Sequence, residues 1–325
     1  MRIVDPRTDA PAETDGPLNE CIATLSQSAI LSLTAVDDTV YIGTQGDNLH
    51  QIDIRTRTLK KNIVTRGTPG LNYTSDFSCC FRDSENNFWI GTLDRGYSVR
   101  YANEKEFTRS IRLGKQTLSK FVNAITISKD GTRWIGSRFK GMLAYTSQLD
   151  LKWHTLENCT LMQRLNSKNV SALFADSSGH LWVNIDDRIA CCNTRHQTIL
   201  DYTLLPERFS ANRFCEDARH DVWVATTSGL LVYDGMRLRD ACFEGCDVQD
   251  VIRLDDTTML AAVFRRGLFA IDSRRLERRP FLEAPDSLTA TALRHATCLL
   301  KGRGGRLWIG TRSKGLLRYH PTEGF

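Results

Sequence analysis

The sequence lacks a long apolar run. No stretch of its 325 residues approaches the roughly 18 apolar residues that a membrane-spanning helix requires. The opening residues, MRIVDPRTDAPAETDGPLNE, also lack the apolar core of a signal peptide. We therefore expect no membrane contact by this chain itself, and the absent leader leaves a cytoplasmic location open.

The sequence also lacks the local motifs of metal sites and of common catalytic centres. None of its seven His residues forms an H-x-H or H-E-x-x-H pattern, and neither G-x-S-x-G nor a phosphate-binding loop occurs. Ten Cys residues are present, but the adjacent pairs and the lone C-x3-C at Cys242 and Cys246 do not have zinc-site spacing. We expect free thiols that pack as small apolar groups in a reducing compartment, with no metal and no cofactor.

What the sequence does have is one phrase that recurs along the chain. It reads LWIGTRSKGLLRY at residues 307–319, WIGSRFKGMLAY at 134–145 and WIGTLDRGYSVRY at 89–101, with weaker copies elsewhere. The large apolar residue that anchors each copy follows the previous anchor by 37 to 48 residues. A period of this length is typical of blades or solenoids. The seven anchors are Tyr41, Trp89, Trp134, Trp182, Trp223, Leu260 and Trp308.

Each copy has the pattern of strands. Its segments are short, alternate apolar with polar residues and end at clusters of Asp, Gly, Ser or Asn, whereas helical repeats need helical spacing. In the third copy VNAITISKD ends at Asp130-Gly131, a dipeptide suited to a tight hairpin, and three more short runs follow. Seven repeats of four antiparallel strands predict an all-β fold, a single seven-bladed β-propeller.

The recurring residues of the phrase have structural explanations. We expect Trp308 to fill the gap to one neighbouring blade and Ile309 to fill the gap to the other. Gly310 and its equivalents leave room where a neighbour approaches closely. Gly315 and its equivalents sit in the next hairpin, where we expect a positive φ. The phrase therefore predicts an architecture and leaves the activity open.

The propeller is predicted to span residues 30–325 as one domain. Residues 1–29 form an N-terminal segment in which RIVDPRT resembles QIDIRTR of the first repeat, at 51–57. We expect this segment to supply an outer strand to the last blade and so to close the ring. A second explanation, compatible with the first, is that the chain is a piece of a longer array.

Positive charge recurs in the hairpins that follow the phrase. In a propeller these hairpins return to the face at which each innermost strand starts, so they surround one channel mouth. Convergent cations concentrate an anionic partner, and Arg can grip a carboxylate, sulfate or phosphate with two hydrogen bonds. Solvated hairpin tips commonly carry Arg and Lys without any function, and that alternative stays open. The candidate ligand-binding residues are Arg95, Arg138, Phe139, Lys140, Arg265, Arg266, Arg312 and Lys314, and Phe264 could also stack on a sugar ring.

Small polar residues occur near the starts of the inner strands. We expect Asn123 and Asn212 to face the channel, where their amides could hydrogen-bond a ligand or merely hold channel water. Nucleic acid is not an expected partner, because no motif for it is present and the net charge of +5 is modest.

The pattern D-x-x-G-x-L-W-I-G-T-x-x-x-G-L-x-R-Y, clearest at 302–319 and 83–101, resembles the two-component regulator propeller repeat. The resemblance covers nearly the whole chain after residue 30, with degenerate fourth and sixth repeats. It implies a non-catalytic sensor in the periplasm of bacteria that degrade polysaccharides, in which the propeller recognises glycan fragments or relays their binding by rearranging a dimer. The expected partners are an oligosaccharide or other anionic small ligand, and a second copy or an adjoining propeller of a longer chain.

This chain departs from the full pattern of that family. It has one propeller and lacks the second propeller, β-sandwich, membrane helix and kinase that the family combines. Two other functions therefore stay open beside the sensor. A lyase or hydrolase would need a convergent acid/base pair, such as His295 with Asp250. A protein-interaction scaffold would need a large exposed apolar patch.

Overall fold

The computed structural model describes residues 25, 28–56, 58–60, 76–83, 86–93, 96–100, 102, 108–109, 121–145, 154–155, 159–196, 198–205, 209–282 and 284–325. In these residues the chain forms seven small antiparallel sheets in a ring, which confirms the predicted seven-bladed propeller. We number the blades 1 to 7 along the chain. Within each blade the strands follow one another in sequence order from the channel outward.

Blades 1 to 3 each contain four strands. Blade 1 comprises β1 (Ala29–Val36), β2 (Thr39–Gln45), β3 (Leu49–Asp53) and β4 (Thr58–Lys60). Blade 2 comprises β5 (Phe77–Arg82), β6 (Phe88–Thr92), β7 (Tyr97–Arg100) and β8 (Thr108–Arg109). Blade 3 comprises β9 (Val122–Ile127), β10 (Arg133–Ser137), β11 (Met142–Tyr145) and β12 (His154–Thr155).

Blades 4 to 6 repeat this arrangement. Blade 4 comprises β13 (Val170–Ala175), β14 (His180–Ile185), β15 (Arg188–Arg195) and β16 (Thr198–Leu204). Blade 5 comprises β17 (Ala211–Glu216), β18 (Val222–Thr226), β19 (Gly229–Tyr233) and β20 (Leu238–Cys242). Blade 6 comprises β21 (Val248–Arg253), β22 (Thr258–Val263), β23 (Gly267–Asp272) and β24 (Arg278–Pro280).

Blade 7 has three strands in the described residues, β25 (Ala296–Lys301), β26 (Leu307–Thr311) and β27 (Leu316–Tyr319). Helix α1 (Thr160–Leu165) connects blades 3 and 4, and helix α2 (Ser287–Arg294) connects blades 6 and 7. The outer strand expected from residues 1–29 lies outside the described residues, apart from Leu25, Ser28 and Ala29, and Ala29 belongs to β1. No helix in the described part of the chain is long and apolar enough to cross a bilayer.

The Trp of each phrase and the residue after it fill opposite gaps between blades, as expected. Trp308 packs with Ile30 and Ile42 of blade 1, whereas Ile309 packs with Leu260 and Leu268 of blade 6. All of these side chains are at most 5% exposed. The apolar core is therefore divided into layers between neighbouring blades, each worth several kcal/mol on the scale of about 25 cal/mol per Å² of buried apolar area.

Glycine follows the Trp and Ile positions because a neighbouring blade approaches closely there. A Cβ on Gly136 would lie 2.6 Å from Cγ1 of Val170 in the next blade, and a Cβ on Gly310 would lie 2.7 Å from Cγ2 of Ile30. The hairpin glycines have the expected positive φ, with 69° at Gly141 and 74° at Gly315. Both structural predictions for the glycines are confirmed.

The ring closes between the last blade and the first. The Thr297 hydroxyl, at the start of β25, donates a 2.7 Å hydrogen bond to the carbonyl of Ile30 in β1, 267 residues away in sequence. Trp308 of β26 also shares a buried apolar cluster with Ile30, Val40 and Ile42. Blades 7 and 1 therefore pack as the internal neighbours do.

Candidate ligand-binding site

The hairpins that join the second and third strands of each blade lie on one face of the ring, which we call the loop face. Backbone hydrogen bonds tie these hairpins to the residues that precede the inner strands. The Arg138 N–H donates to the Phe121 carbonyl at 3.1 Å, and the Phe264 N–H donates to the Asp247 carbonyl at 2.9 Å. Equivalent bonds occur in the other blades from 2 to 7. The expected gathering of both sets of residues around one channel mouth is thus present in the structure.

The hairpins of blades 6 and 7 bring two arginines to one aromatic ring. The guanidinium carbon of Arg265 lies 5.4 Å from the centroid of Phe264, and that of Arg312 lies 4.9 Å from the same centroid. The ring of His295 meets Phe264 edge-on, with centroids 5.8 Å apart. We call Phe264, Arg265, His295 and Arg312 the Phe264 cluster. It combines a flat apolar ring with two cations, both of which are exposed.

Helix α2 positions one side of the Phe264 cluster. Asp286 caps the start of the helix by accepting the Thr289 N–H at 2.6 Å, which is a favourable N-cap arrangement. At its other end the Arg294 carbonyl accepts the N–H of Arg265 at 2.7 Å, and the His295 carbonyl accepts the N–H of Arg312 at 2.9 Å. The end of α2 therefore holds the hairpins of blades 6 and 7 together.

A second cationic and aromatic patch lies on blade 3. The guanidinium carbon of Arg138 lies 5.5 Å from the centroid of Phe139, whose side chain is 55% exposed. The ring of Phe121 packs against that of Phe139 in a T-shaped arrangement, with the two centroids 5.0 Å apart. Because blade 3 is three blades from blade 6 in a ring of seven, this patch faces the Phe264 cluster across the channel mouth.

The other predicted cations occupy the same hairpins. Arg266 and Lys140 are exposed, and Lys314 is half-buried with its N–H donating to Thr311 Oγ1 at 2.9 Å. In the described part of the chain no carboxylate lies within ion-pair distance of Arg138, Arg265 or Arg312. Arg95 lies outside the described residues. Three arginines of the loop face are therefore available to an external anion.

Asn123 and Asn212 use their amides to link neighbouring blades. The amide nitrogen of Asn123 donates to the Val170 carbonyl at 2.9 Å. That of Asn212 donates to the Val248 carbonyl at 2.8 Å and to Oδ1 of Asp247 at 3.0 Å. These contacts give both amides a structural role, and their contact with a ligand remains a prediction.

The acid/base pair suggested for an enzyme does not meet in the structure. The Asp250 carboxylate is buried and accepts hydrogen bonds from Val251 N–H, Leu299 N–H and Arg213 Nε, at 2.8, 2.7 and 3.3 Å. His295 instead contacts Phe264. The charge of Asp250 raises the pKa of Arg213, so this pair acts as a link between the inner strands of blades 5, 6 and 7.

Two other expectations concern thiols and apolar surface. All nine described Cys residues are free, as expected, and burial raises the pKa of Cys79 to about 11 and of Cys298 to about 12, which makes them poor nucleophiles. The large exposed apolar side chains of the described residues are Phe139, Leu200, Met236 and Leu288, on four different blades or connections. They are scattered, whereas a scaffold would need a contiguous patch.

The sequence predicted Arg138, Arg265 and Arg312 but did not place Phe121 beside Phe139 or His295 beside Phe264. Phe121 and His295 both immediately precede an inner strand, at the position whose carbonyl accepts the hairpin N–H. A search of the sequence for aromatic residues directly before each inner strand would have identified both. No group of three or more metal-ligating side chains occurs among the described residues.

No family model matches the sequence, and none of the curated proteins matches it. Among solved structures, the chain is similar to the extracellular domain of BT4673 from B. thetaiotaomicron, which is assigned to the hybrid two-component systems, with 15% identity and a TM-score of 0.69. The match covers 90% of this chain and 38% of that one.

Two further structures show the same fold. The extracellular domain of BT3049, also assigned to the hybrid two-component systems of B. thetaiotaomicron, has 13% identity and a TM-score of 0.72 over 89% of this chain and 39% of that one. PorZ, a surface component of the type-IX secretion system of Porphyromonas gingivalis, has 15% identity and a TM-score of 0.72 over 97% of this chain and 48% of that one. The chain thus spans less than half the length of these structures, and at this identity the likeness shows that they share its propeller fold.

Proposed function

We propose that this chain is a non-catalytic ligand-binding propeller of the sensor type, which recognises an acidic oligosaccharide on its loop face. The observation that carries the proposal is the Phe264 cluster, where Arg265 and Arg312 flank one aromatic ring and no carboxylate of the described residues lies within ion-pair distance of them. An aromatic ring packs against the apolar face of a sugar, and paired guanidinium groups bind carboxylate or sulfate substituents.

The chemistry of the loop face favours an extended ligand. Arg138 with Phe139 repeats the combination of cation and ring on the opposite side of the channel mouth. An oligosaccharide with several acidic groups could contact both patches, whereas a single small anion could contact only one. Arg138, Arg265 and Arg312 are exposed, so a ligand can reach their guanidinium groups from solvent without a prior conformational change.

The structural neighbours support the sensor part of the proposal. Two of them are extracellular domains assigned to hybrid two-component systems. By analogy we place this chain outside the cytoplasm, in the periplasm, and we propose that it acts next to a second propeller or a second copy. In such an assembly the loop face would pass on ligand binding by changing how the neighbouring units pack.

The test is a calorimetric titration of the 325-residue chain with oligogalacturonate, heparin-derived hexasaccharide and neutral maltohexaose. The site variant Arg265→Glu/Arg312→Glu should lose binding of the acidic ligand at least tenfold, because a hydrogen bond to a charged group contributes about 1.5–3 kcal/mol. Arg274→Glu/Arg275→Glu is the matched control. It makes the same charge change at exposed residues of the hairpin between β23 and β24, on the opposite face, and should retain binding.

Two results would count against the proposal. Equal loss of binding in both double variants would mean that net charge alone attracts the ligand. Binding of maltohexaose as tightly as of the acidic oligosaccharides would remove the role of the arginines. A Phe264→Ala variant that folds normally and loses affinity for the acidic ligand would confirm the contribution of ring stacking.

A further inference from the structure

The hairpin between the first and second strands contains a repeated acceptor for the Trp indole. In blades 2, 4 and 5 an Asp six residues before the Trp accepts the indole N–H. The distances are 2.9 Å for Trp89 to Asp83, 2.9 Å for Trp182 to Asp176 and 3.0 Å for Trp223 to Asp217. In blade 3 the hydroxyl of Ser128 accepts the N–H of Trp134 at 3.0 Å and donates to Asp130 at 2.6 Å.

Blade 7 keeps the Trp and loses the acceptor. The residue six positions before Trp308 is Gly302. Trp308 is 2% exposed, and its indole N–H has no hydrogen-bond partner in the described part of the chain. An unpaired buried donor of this kind is costly, so an acceptor from elsewhere is strongly favoured at this point.

The hairpin of blade 7 otherwise matches that of the other blades. The Gly302 N–H donates to the Arg306 carbonyl at 2.7 Å, just as the Asp217 N–H donates to the Asp221 carbonyl at 3.0 Å in blade 5. A Cβ built on Gly302 would lie 3.2 Å from the indole nitrogen of Trp308. The direction of the absent side chain therefore leads to the unpaired N–H.

The charge around this hairpin favours an anion as the acceptor. Residues 287–322, which include the three described strands of blade 7 and this hairpin, contain no Asp or Glu. The hairpin sequence KGRGGR carries Lys301, Arg303 and Arg306. The guanidinium of Arg306 lies on the hairpin, with Nη1 3.5 Å from the position of a Cβ on Gly304.

We propose that the first hairpin of blade 7 binds a carboxylate supplied from outside the chain. One carboxylate oxygen accepts the indole N–H of Trp308, as Asp217 accepts that of Trp223 in blade 5, and the guanidinium of Arg306 on the same hairpin supplies positive charge. The site lies on the face opposite the Phe264 cluster, so it is independent of the oligosaccharide site. The ligand class is a carboxylate small enough to replace an Asp side chain, such as formate, acetate or the end of an acidic side chain of another protein.

The decisive measurement is the indole N–H resonance of Trp308 in a nitrogen-15 spectrum, identified by its loss in Trp308→Phe. Sodium formate is titrated against sodium chloride at equal ionic strength. We expect a saturable downfield shift of the Trp308 resonance at millimolar formate, with the other five Trp indole resonances unaffected. No shift of the Trp308 resonance up to about 100 mM formate, a hundred times a millimolar Kd, would overturn the proposal and indicate water as the partner.

Two variants exchange the residues of blades 5 and 7. Gly302→Asp supplies the carboxylate covalently, so the formate response of Trp308 should disappear. Asp217→Gly creates the blade 7 arrangement in blade 5, so the Trp223 resonance should become sensitive to formate. A formate response of Trp308 that persists in Gly302→Asp would contradict the proposal, and the wild-type titration decides alone if a variant fails to fold.

The source of the carboxylate is distinguished by ligand size. The same titration is made with acetate, with propionate and with N-acetyl-aspartate N-methylamide, which mimics an acidic side chain on a protein. Competition between the aspartate derivative and formate identifies the site as accessible to another protein. Binding of formate and acetate alone identifies a site for free small carboxylates.

Discussion

At the scale of single residues, the repeated Asp of the first hairpin stabilises more than one blade. Burial by itself raises the pKa of Asp83, but hydrogen bonds from Trp89, Asn87 and Arg133 outweigh it and lower that pKa. Arg133 belongs to blade 3, and its Nε donates to Asp83 of blade 2 at 2.9 Å. The carboxylate therefore fixes its own Trp and anchors the neighbouring blade.

Asp130 provides a test of this role through pH. Burial raises its pKa, but hydrogen bonds from Ser128, the His196 N–H and Thr132 lower it from 3.8 to about 2. A pKa that is lower in the folded than in the unfolded chain stabilises the fold above about pH 4, and this contribution is lost as the pH falls toward 2. We expect Asp130→Asn to lower the free energy of unfolding by about 1 kcal/mol at pH 7, after solvent screening of a partly exposed group.

The measurement is urea unfolding of both proteins between pH 7 and pH 3. The difference between them should shrink below pH 4, because protonation then removes the same charge from the wild type. Asp256→Asn is the control, since Asp256 is 85% exposed and makes one ion pair with Arg253. A difference that stays constant down to pH 3 would show that the charge of Asp130 contributes nothing.

The sequence predicted some of these residue roles and missed others. The opposite directions of Trp308 and Ile309 follow from the alternation of side chains in a strand, so the pattern was sufficient. The Asp that accepts the indole was visible only as the start of a turn, because its partner depends on where the Trp N–H points in three dimensions. Arg265 and Arg312 were predicted as cations, but their convergence on Phe264 depends on α2 and on the positive φ of 63° at Arg265.

At the scale of elements, each inner strand contains a β-bulge near its start. In β9 the register shifts between Val122 and Ala124, and in β17 it shifts between Ala211 and Arg213. The other five inner strands shift at the equivalent position. The extra residue of the bulge is turned out of the ladder, so its side chain can reach the next blade. This geometry explains why small polar residues recur there.

Asn123→Ala tests whether the bulge residue is structural. Loss of the 2.9 Å hydrogen bond to the Val170 carbonyl should lower the free energy of unfolding by about 1 kcal/mol. If the amide has only this role, the affinity for the acidic oligosaccharide should remain within twofold of wild type. Chemical denaturation and calorimetry on the same sample separate the two effects.

The matched substitution is Asn123→Ser, which keeps a hydrogen-bonding group at the bulge, as Ser78 does in blade 2 by donating to the Val122 carbonyl. It should recover part of the lost stability. Unchanged stability together with lost ligand affinity in Asn123→Ala would assign the amide to the ligand, which is one of the two roles that the sequence leaves open. The bulge itself could not be predicted from the sequence, because the inserted residue does not interrupt the apolar pattern.

At the scale of the whole molecule, positive charge is concentrated at the C-terminal end of the chain. Residues 248–325, which form blades 6 and 7, contain fourteen Lys and Arg against eight Asp and Glu, while the complete chain has a formal charge of +5. The remaining five blades are therefore close to neutral. Because the ring closes, this charge forms one sector that includes both the Phe264 cluster and the hairpin of Trp308.

The contact between blades 7 and 1, which closes the ring, can be compared with the equivalent contact between blades 3 and 4. Ile30 and Val170 are both completely buried. Ile30 lies against Gly310 of blade 7, and Val170 lies in the same way against Gly136 of blade 3. If blades 7 and 1 pack like blades 3 and 4, Ile30→Ala should cost about 2–5 kcal/mol, at least as much as Val170→Ala, because each removes buried methyl groups at an equivalent position. Denaturant unfolding of both variants measures this. A cost below about 1 kcal/mol for Ile30→Ala alone would mean that the junction opens readily, and the cationic sector beside it would then not be held in one shape.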